Sequence, residues 1–386
     1  MRGEPGHERG FDDRLNPGVT ACRPAPPMPV ICLSMIVKNE AHVIRRCLDS
    51  VRPHIGYWLI VDTGSSDGTQ EIVRSHMADL PGALYERPWR DFGANGTEAL
   101  ALARPHGDYT LVMDADHVLH LPAGFSFQHI DADAYSLVYR YAGVHYPVPI
   151  LMSNRIPFRY EGVLHEYLAA DVPYRVVPLP GPWIEVFHEG ARSRDPQTYE
   201  RDAAILEAAL EREPGNSRYA FYLAQSLKDA GRLERALAAF RHRATMPGWE
   251  EETWNARYQA AQLAERLAYP PAEVQHAYLE AWNARPTRAE PLVALARWHR
   301  ERQEWPLAHL FARTAGSVPV PDDRLFVEEA VYAWRALDEL AIASWYTGAR
   351  DEGRRAAEQL VAERRYPDSE HVRIARNLDW YRSAPG

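Results

Sequence analysis

Apolar residues gather in short, nearly unbroken runs through the first half of the chain and in helical stripes through the second. Residues 29–37 (PVICLSMIV) form such a run, as expected of a strand buried on both faces. Residues 40–51 then carry Val43, Ile44, Cys47, Leu48 and Val51 on one face, the spacing of an amphipathic helix. Residues 57–61 (YWLIV) predict a second buried strand, and a helix through Ile72 and Val73 follows. The same reading places a short strand at 83–85, a helix over 95–103, and strands at 108–113, 134–141 and 174–177. Strands separated by helices predict a mostly parallel sheet. Ligands bind beyond the carboxyl ends of such strands. Three polar clusters, at residues 38–40, 62–69 and 114–117, fall at those ends and are expected to converge.

The pattern changes near Asp195. Beyond it come Ala- and Leu-rich helices with Pro and Gly between them. Residues 222–240 (YLAQSLKDAGRLERALAAF) have the small-residue and Gly-turn signature of a tetratricopeptide repeat, and residues 291–313 and 337–360 echo it. The expected organisation is a disordered extension over 1–28, an α/β domain over 29–194 and an all-α repeat domain over 195–386. Aromatic residues recur along the repeats: Tyr219, Tyr222, Trp254, Tyr258, Tyr278, Trp282 and Trp298. They either line a concave binding surface or fill the solenoid core.

Composition narrows the function. Hydrophobic residues make up 46% and charged residues 25%, an ordinary globular balance. A net charge of −9 argues against a nucleic-acid partner, which needs a basic face. No apolar run is long enough to span a bilayer, and the Arg-, Gly- and Pro-rich start lacks the apolar segment of a signal peptide. Three cysteines, Cys22, Cys32 and Cys47, suggest no disulfide framework, so a cytoplasmic setting is expected.

The sharpest chemical feature is Asp114-Ala115-Asp116, at the end of a predicted buried strand. In an extended backbone the two carboxylates share a face. They would hold a hard divalent cation, Mg²⁺ or Mn²⁺, that neutralises a diphosphate leaving group. Asp62 ends the second strand and is placed to accept from a nucleotide base or ribose, whereas Asp67 reads as turn and cap chemistry.

These pieces together resemble the family-2 glycosyltransferases of the GT-A fold. The resemblance rests on the opening SMIVKNE, the turn VDTGSSDGT and the triplet segment DADHVL, and spans roughly residues 30–192. It is strongest to the subgroup with C-terminal tetratricopeptide repeats, which includes the S-glycosyltransferases of glycopeptide bacteriocins. The fold it implies is an α/β GT-A (nucleotide-diphospho-sugar transferase) domain followed by all-α TPR-like helical repeats. It implies a UDP-sugar donor contacted by Val37, Lys38, Glu40, Asp62, Asn95 and Asp114, and a metal held by Asp116 and His188. Related sequences often carry an Asn-Arg pair where this chain has Asn95-Gly96; Arg90 or Arg104 is the available substitute. The residues 164–166 (LHE) fall where inverting enzymes place their base. Glu166 is the expected base, with His165 and Glu161 as alternatives. The implied activity is inverting, metal-dependent transfer of a hexose to an acceptor. That acceptor is a peptide or protein side chain, or else a polysaccharide, lipid or natural product. A catalytically degenerate repeat scaffold is the alternative of a different class, and the repeats are also expected to serve a homodimer.

Overall fold

The computed structural model describes residues 28–141 and 144–383. The expected extension over residues 1–28 lies, apart from Met28, outside them, as does Cys22.

The described strands are β1 (Ile31–Val37), β2 (Tyr57–Asp62), β3 (Gly82–Glu86), β4 (Tyr109–Val112), β5 (His117–His120), β6 (Ala134–Tyr141), β7 (Val144–Ser153), β8 (Arg159–Glu161), β9 (Tyr167–Ala169) and β10 (Val176–Val186). Among them run the helices α1 (Ile44–Val51), α2 (Thr69–His76) and α3 (Phe92–Ala103). After the last strand come α4 (Ala191–Arg194), α5 (Thr198–Arg212), α6 (Ser217–Asp229), α7 (Leu233–Arg243), α8 (Glu250–Arg266), α9 (Pro271–Ala284), α10 (Glu290–Glu301), α11 (Trp305–Gly316), α12 (Ala336–Thr347), α13 (Arg350–Glu363) and α14 (His371–Ser383).

Eight strands form one sheet in the order β3-β2-β1-β4-β7-β6-β10-β5, and β8 pairs with β9 apart from it. The expected parallel arrangement holds for β1 to β4. Beyond them it holds only in part: β10 runs parallel to β6, but β7 runs antiparallel to β4 and β6, and β5 antiparallel to β10. The reason is the connections. No helix lies between β6 and β7 to carry a crossover, so the chain doubles back. The sheet is therefore mixed.

Alternation along β1 explains why its run is apolar throughout. Leu33, Met35 and Val37 pack on Ile44, Cys47 and Leu48 of α1 and on Val73 of α2. Cys32, with Leu59 and Val61 of β2, packs on Ala99 and Ala103 of α3 on the other face. Both described cysteines are free and buried, and burial pushes their thiols up, that of Cys32 to about 12. They act as small hydrophobes. The helix α3 carries β8 against it with almost no gap: a Cβ on Gly96 would lie 2.8 Å from Cδ2 of Tyr160. Thr97 fixes that contact, its Oγ1 donating to the Tyr160 carbonyl at 3.2 Å and accepting from the Tyr160 amide at 2.9 Å.

The helices from α5 onward stack in tetratricopeptide-like pairs. Ala224 and Ala236 are buried where α6 meets α7, and Ala296 and Ala308 where α10 meets α11, so small residues set the close approach. The aromatics take the core role. Tyr219, Trp254, Tyr258, Tyr278 and Trp298 are all buried, while Tyr222 and Trp282 are partly buried. A buried ion network pins the irregular segment after α11. All five N–H groups of Arg288 are used. Its Nε and one terminal nitrogen reach Glu290, the other reaches Asp323 at 3.1 Å, and the carbonyls of Leu325 and Phe326 accept the remaining bonds. Its guanidinium also lies 3.8 Å from the Trp254 ring centre. Among the described residues, no helix is long and apolar enough to cross a membrane.

Candidate active site

A cleft of about 660 Å³ opens beyond the carboxyl ends of β1 and β4. The residues after β1 reach it first: Val37, Lys38 and Glu40 line its wall. Asp114 and Asp116 enter from the turn between β4 and β5, and Glu166 and His188 from later in the chain. Asp62, Asn95 and His165 do not line it.

The Asp114–Asp116 triplet is not extended. The amide of His117 bonds back to the Asp114 carbonyl at 3.1 Å, closing a turn that separates the two carboxylates by environment. Asp114 has its side chain 74% exposed, in the cleft. Asp116 is buried, and its Oδ2 accepts from the amides of Glu189 and Gly190, each at 2.9 Å. Between them lies His117, absent from the sequence expectations. Its Nε2 is 3.6 Å from Asp114 Oδ2 and 3.9 Å from Asp116 Oδ1. Its Nδ1 accepts from the Asp114 amide at 3.4 Å, which assigns the proton to Nε2, facing the carboxylates. Glu40 repeats the Asp116 contact one residue on, accepting from the Ala191 amide at 3.1 Å. Burial, and then the charges of Asp116 and Asp114, raise its carboxyl above the usual range against the pull of that amide.

Among the described residues, no three His, Cys, Asp or Glu side chains are grouped as a cation site. His188 lines the same cleft as Asp116, but its ring lies against Tyr141, centroids 4.0 Å apart, on a backbone with φ 50°. The protein offers Asp114, still open, and the second oxygen of Asp116. A divalent cation fits this donor set only if its remaining ligands come from a bound diphosphate or water.

Glu166 is half-buried on the cleft wall. Burial and the nearby Asp114 push its carboxyl up, against the opposing pull of Arg192 and Arg218. The two alternatives are placed differently. His165 is exposed to solvent on one side and lays its ring flat on Tyr222 of α6, centroids 3.9 Å apart; the protein packed around the ring, with Arg192 and Arg218, pushes its imidazole down. Glu161 accepts from the Tyr167 hydroxyl at 2.6 Å and from Arg159 at 2.7 Å, contacts that hold its carboxyl below the usual range.

Residues 32–122 match the family model for glycosyl transferase family 2. This segment resembles the family-2 glycosyl transferases. Among curated proteins, the chain is 40% identical over 96 residues to a TPR repeat-containing protein of Synechococcus elongatus, covering 25% of this chain and 23% of that one. It is 22% identical over 227 residues to the SPbeta prophage-derived glycosyltransferase SunS of Bacillus subtilis, covering 54% of this chain and 52% of that one. The chain thus spans about a quarter to a half of the length of these relatives. Among solved structures, S. aureus TarS 1-349 covers 64% of this chain and 83% of its own length at 14% identity and TM-score 0.32. A tetratricopeptide repeat protein from Parabacteroides merdae covers 48% and 67% at 18% identity and TM-score 0.36. The chain combines an α/β domain on a mixed sheet with TPR-like helical repeats.

The family-2 segment holds Lys38, Glu40, Asp114 and Asp116, whereas Glu166 and His188 lie beyond it. Within it, Asn95 is fully buried behind the cleft wall. Its Oδ1 accepts from the Arg90 amide at 2.9 Å and its Nδ2 donates to the Pro88 carbonyl at 3.2 Å, so its amide braces a loop. Asp67 braces another, accepting from the Thr69 hydroxyl and the Ala41 amide. Asp62 braces a third turn and has one oxygen left over. Its Oδ1 accepts from the amides of Gly64 and Ser65 at 3.0 and 2.9 Å and from Gln70, while its buried Oδ2 has no partner. A buried carboxylate oxygen without a donor is costly, and a base or ribose donor would satisfy it. Asp62→Ala is expected to weaken UDP and uridine binding alike, by roughly 10- to 100-fold, the equivalent of one bond to a charged acceptor. Titration calorimetry with both ligands checks this; an unchanged affinity leaves Asp62 with its turn alone.

Proposed function

We propose that this protein is an inverting glycosyltransferase that moves a hexose from a UDP-sugar to a side chain of a peptide or protein. The observation that carries the reading is the meeting, in one cleft, of the Asp114–Asp116 turn of the family-2 segment with the half-buried carboxylate of Glu166. Glu166 takes the proton of the acceptor nucleophile, which attacks the anomeric carbon from the face opposite the leaving UDP. The raised proton affinity of Glu166 suits that role. This lift, which comes first from burial, also means that activity falls as pH drops through a value above that of an ordinary glutamate, since only the ionised form accepts a proton.

The cleft brings Glu40, Asp114, Asp116 and Glu166 together. Four carboxylates repel a diphosphate, so the donor needs a compensating cation. Asp114 and Asp116 would hold Mg²⁺ or Mn²⁺, which when bound neutralises charge on the departing UDP. UDP is expected to raise the thermal unfolding midpoint only with Mg²⁺ or Mn²⁺ present, and excess EDTA to reverse the shift. Equal stabilisation in EDTA would remove the metal from the reading. A polymeric acceptor is supported by a groove of about 1130 Å³ inside the repeats, walled by Trp305, Trp334, Tyr346 and Trp380 with Arg266 and Arg376. A nucleotide-sugar hydrolysis screen, followed by intact-mass measurement on peptides, tests donor and acceptor together. Absence of hydrolysis with every donor would favour a non-catalytic scaffold.

A further inference from the structure

Arg192 lines the cleft although it belongs to α4, past the last strand. It is close enough to Glu166 and His165 for its charge to bias both. One terminal nitrogen is bound by Asp202 of α5, and the guanidinium lies 5.0 Å from the Phe92 ring centre. Among the described residues, its Nε and its other terminal nitrogen make no hydrogen bond. Asp202 is itself buried, with its Oδ1 lacking any partner, so Arg192 is the counter-charge that makes its burial tolerable. Burial raises its carboxyl in spite of that pairing.

Lys38 shares the cleft, on its opposite, β1 side, whereas the two substitutes that the sequence offers for a diphosphate lie elsewhere. Arg90 pairs with Glu98 at 3.0 Å, and Arg104 donates to the Asn154 carbonyl at 2.9 Å; neither lines the cleft. Position 96 is closed by sterics, since Tyr160 occupies the space a side chain there would need. Arg201 lines the cleft but is tied to Asp195 at 2.5 Å. We infer that Arg192, held by Asp202 from the first repeat helix, is the side chain that meets the donor's diphosphate, so that the repeat unit completes the donor site. The inference rests on the glycosyltransferase reading. A guanidinium with Nε and one terminal nitrogen free can donate to phosphate oxygens, and Asp202 acts as its positioning residue.

The test is calorimetric binding of UDP and of uridine, with Mg²⁺ present, to the full chain and to three variants: Arg192→Gln, Asp202→Asn and the double variant. The double variant buries no unpaired charge and serves where Arg192→Gln alone fails to fold. Arg192→Gln is expected to weaken UDP roughly 10- to 100-fold and to leave uridine unchanged. Asp202→Asn is expected to weaken UDP less, and to add nothing in the Arg192→Gln background, because it acts through the arginine. Unchanged UDP affinity in Arg192→Gln overturns the inference, as does an equal loss for uridine. Independent, additive losses overturn the positioning role of Asp202. Failure of the unaltered protein to bind UDP overturns the glycosyltransferase reading itself, an outcome distinct from the others.

Discussion

Glu166→Gln is expected to lower turnover by roughly 10² to 10⁴ while leaving UDP affinity intact, the range for loss of a general base. The amide keeps the size and half-buried position of the carboxylate but accepts no proton. The binding groups named above are untouched, so KM for the donor should hold while kcat falls. Two further measurements separate this from a structural defect. The acidic limb of the wild-type rate profile, assigned to Glu166, should vanish from the residual rate of the variant. The product of the unaltered enzyme should carry the inverted anomeric configuration. Retained configuration would mean a covalent or front-face route, in which Glu166 is not required as this base.

Arg288→Met is expected to destabilise the protein by about 3–5 kcal/mol, the cost of leaving a buried charge without its partner. Glu290 is 1% exposed and loses its counter-ion, and Asp323 keeps only Arg285. The carbonyls of Leu325 and Phe326 lose donors as well. The segment between α11 and α12 should loosen first, seen as faster amide exchange there before global unfolding. Adding Glu290→Gln to Arg288→Met should restore part of the loss, because the orphaned charge is then gone. A loss within 1 kcal/mol for Arg288→Met would show that Glu290 is rehydrated or protonated at little cost.

The parallel half of the sheet was legible because both faces of β1 and β2 are covered, which leaves an apolar run that little else explains. In the other half β6 and the start of β10 were legible, whereas β7 and the rest of β10 were hidden by proline. β7 contains Pro147 and Pro149, and β10 contains Pro178, Pro180 and Pro182, residues that argue against a strand in any single-sequence reading. The fold admits those in β10 where its pairing with β6 shifts register between Pro178 and Trp183. In the site, the convergence of residues 37–40 with 114–116 followed from topology. The inequality of Asp114 and Asp116 did not, since it depends on amides some seventy residues away. Asn95 was placed at the donor by the resemblance alone, yet its amide closes a local loop. Arg192 gave no signal at all, being one arginine among many in a segment without periodicity. The aromatics of the repeats were ambiguous by pattern, and packing decided them.

The amides of Glu189, Gly190 and Ala191 are held by Asp116 and Glu40, so the passage from sheet to solenoid is moored to the same carboxylates that face the cleft. That mooring fixes where the chain can be cut and rejoined. A chimera that grafts another repeat array after residue 229 keeps the moored stretch with α5 and α6, whose Arg218 and Tyr222 hold the segment bearing Glu166, and inherits an assembled cleft. One joined at residue 187 discards the partners of Asp116 and Glu40, leaving two acidic side chains facing each other across an unfilled seam. Exchange of the outer repeats is thus open to this architecture, but only downstream of its first helix pair.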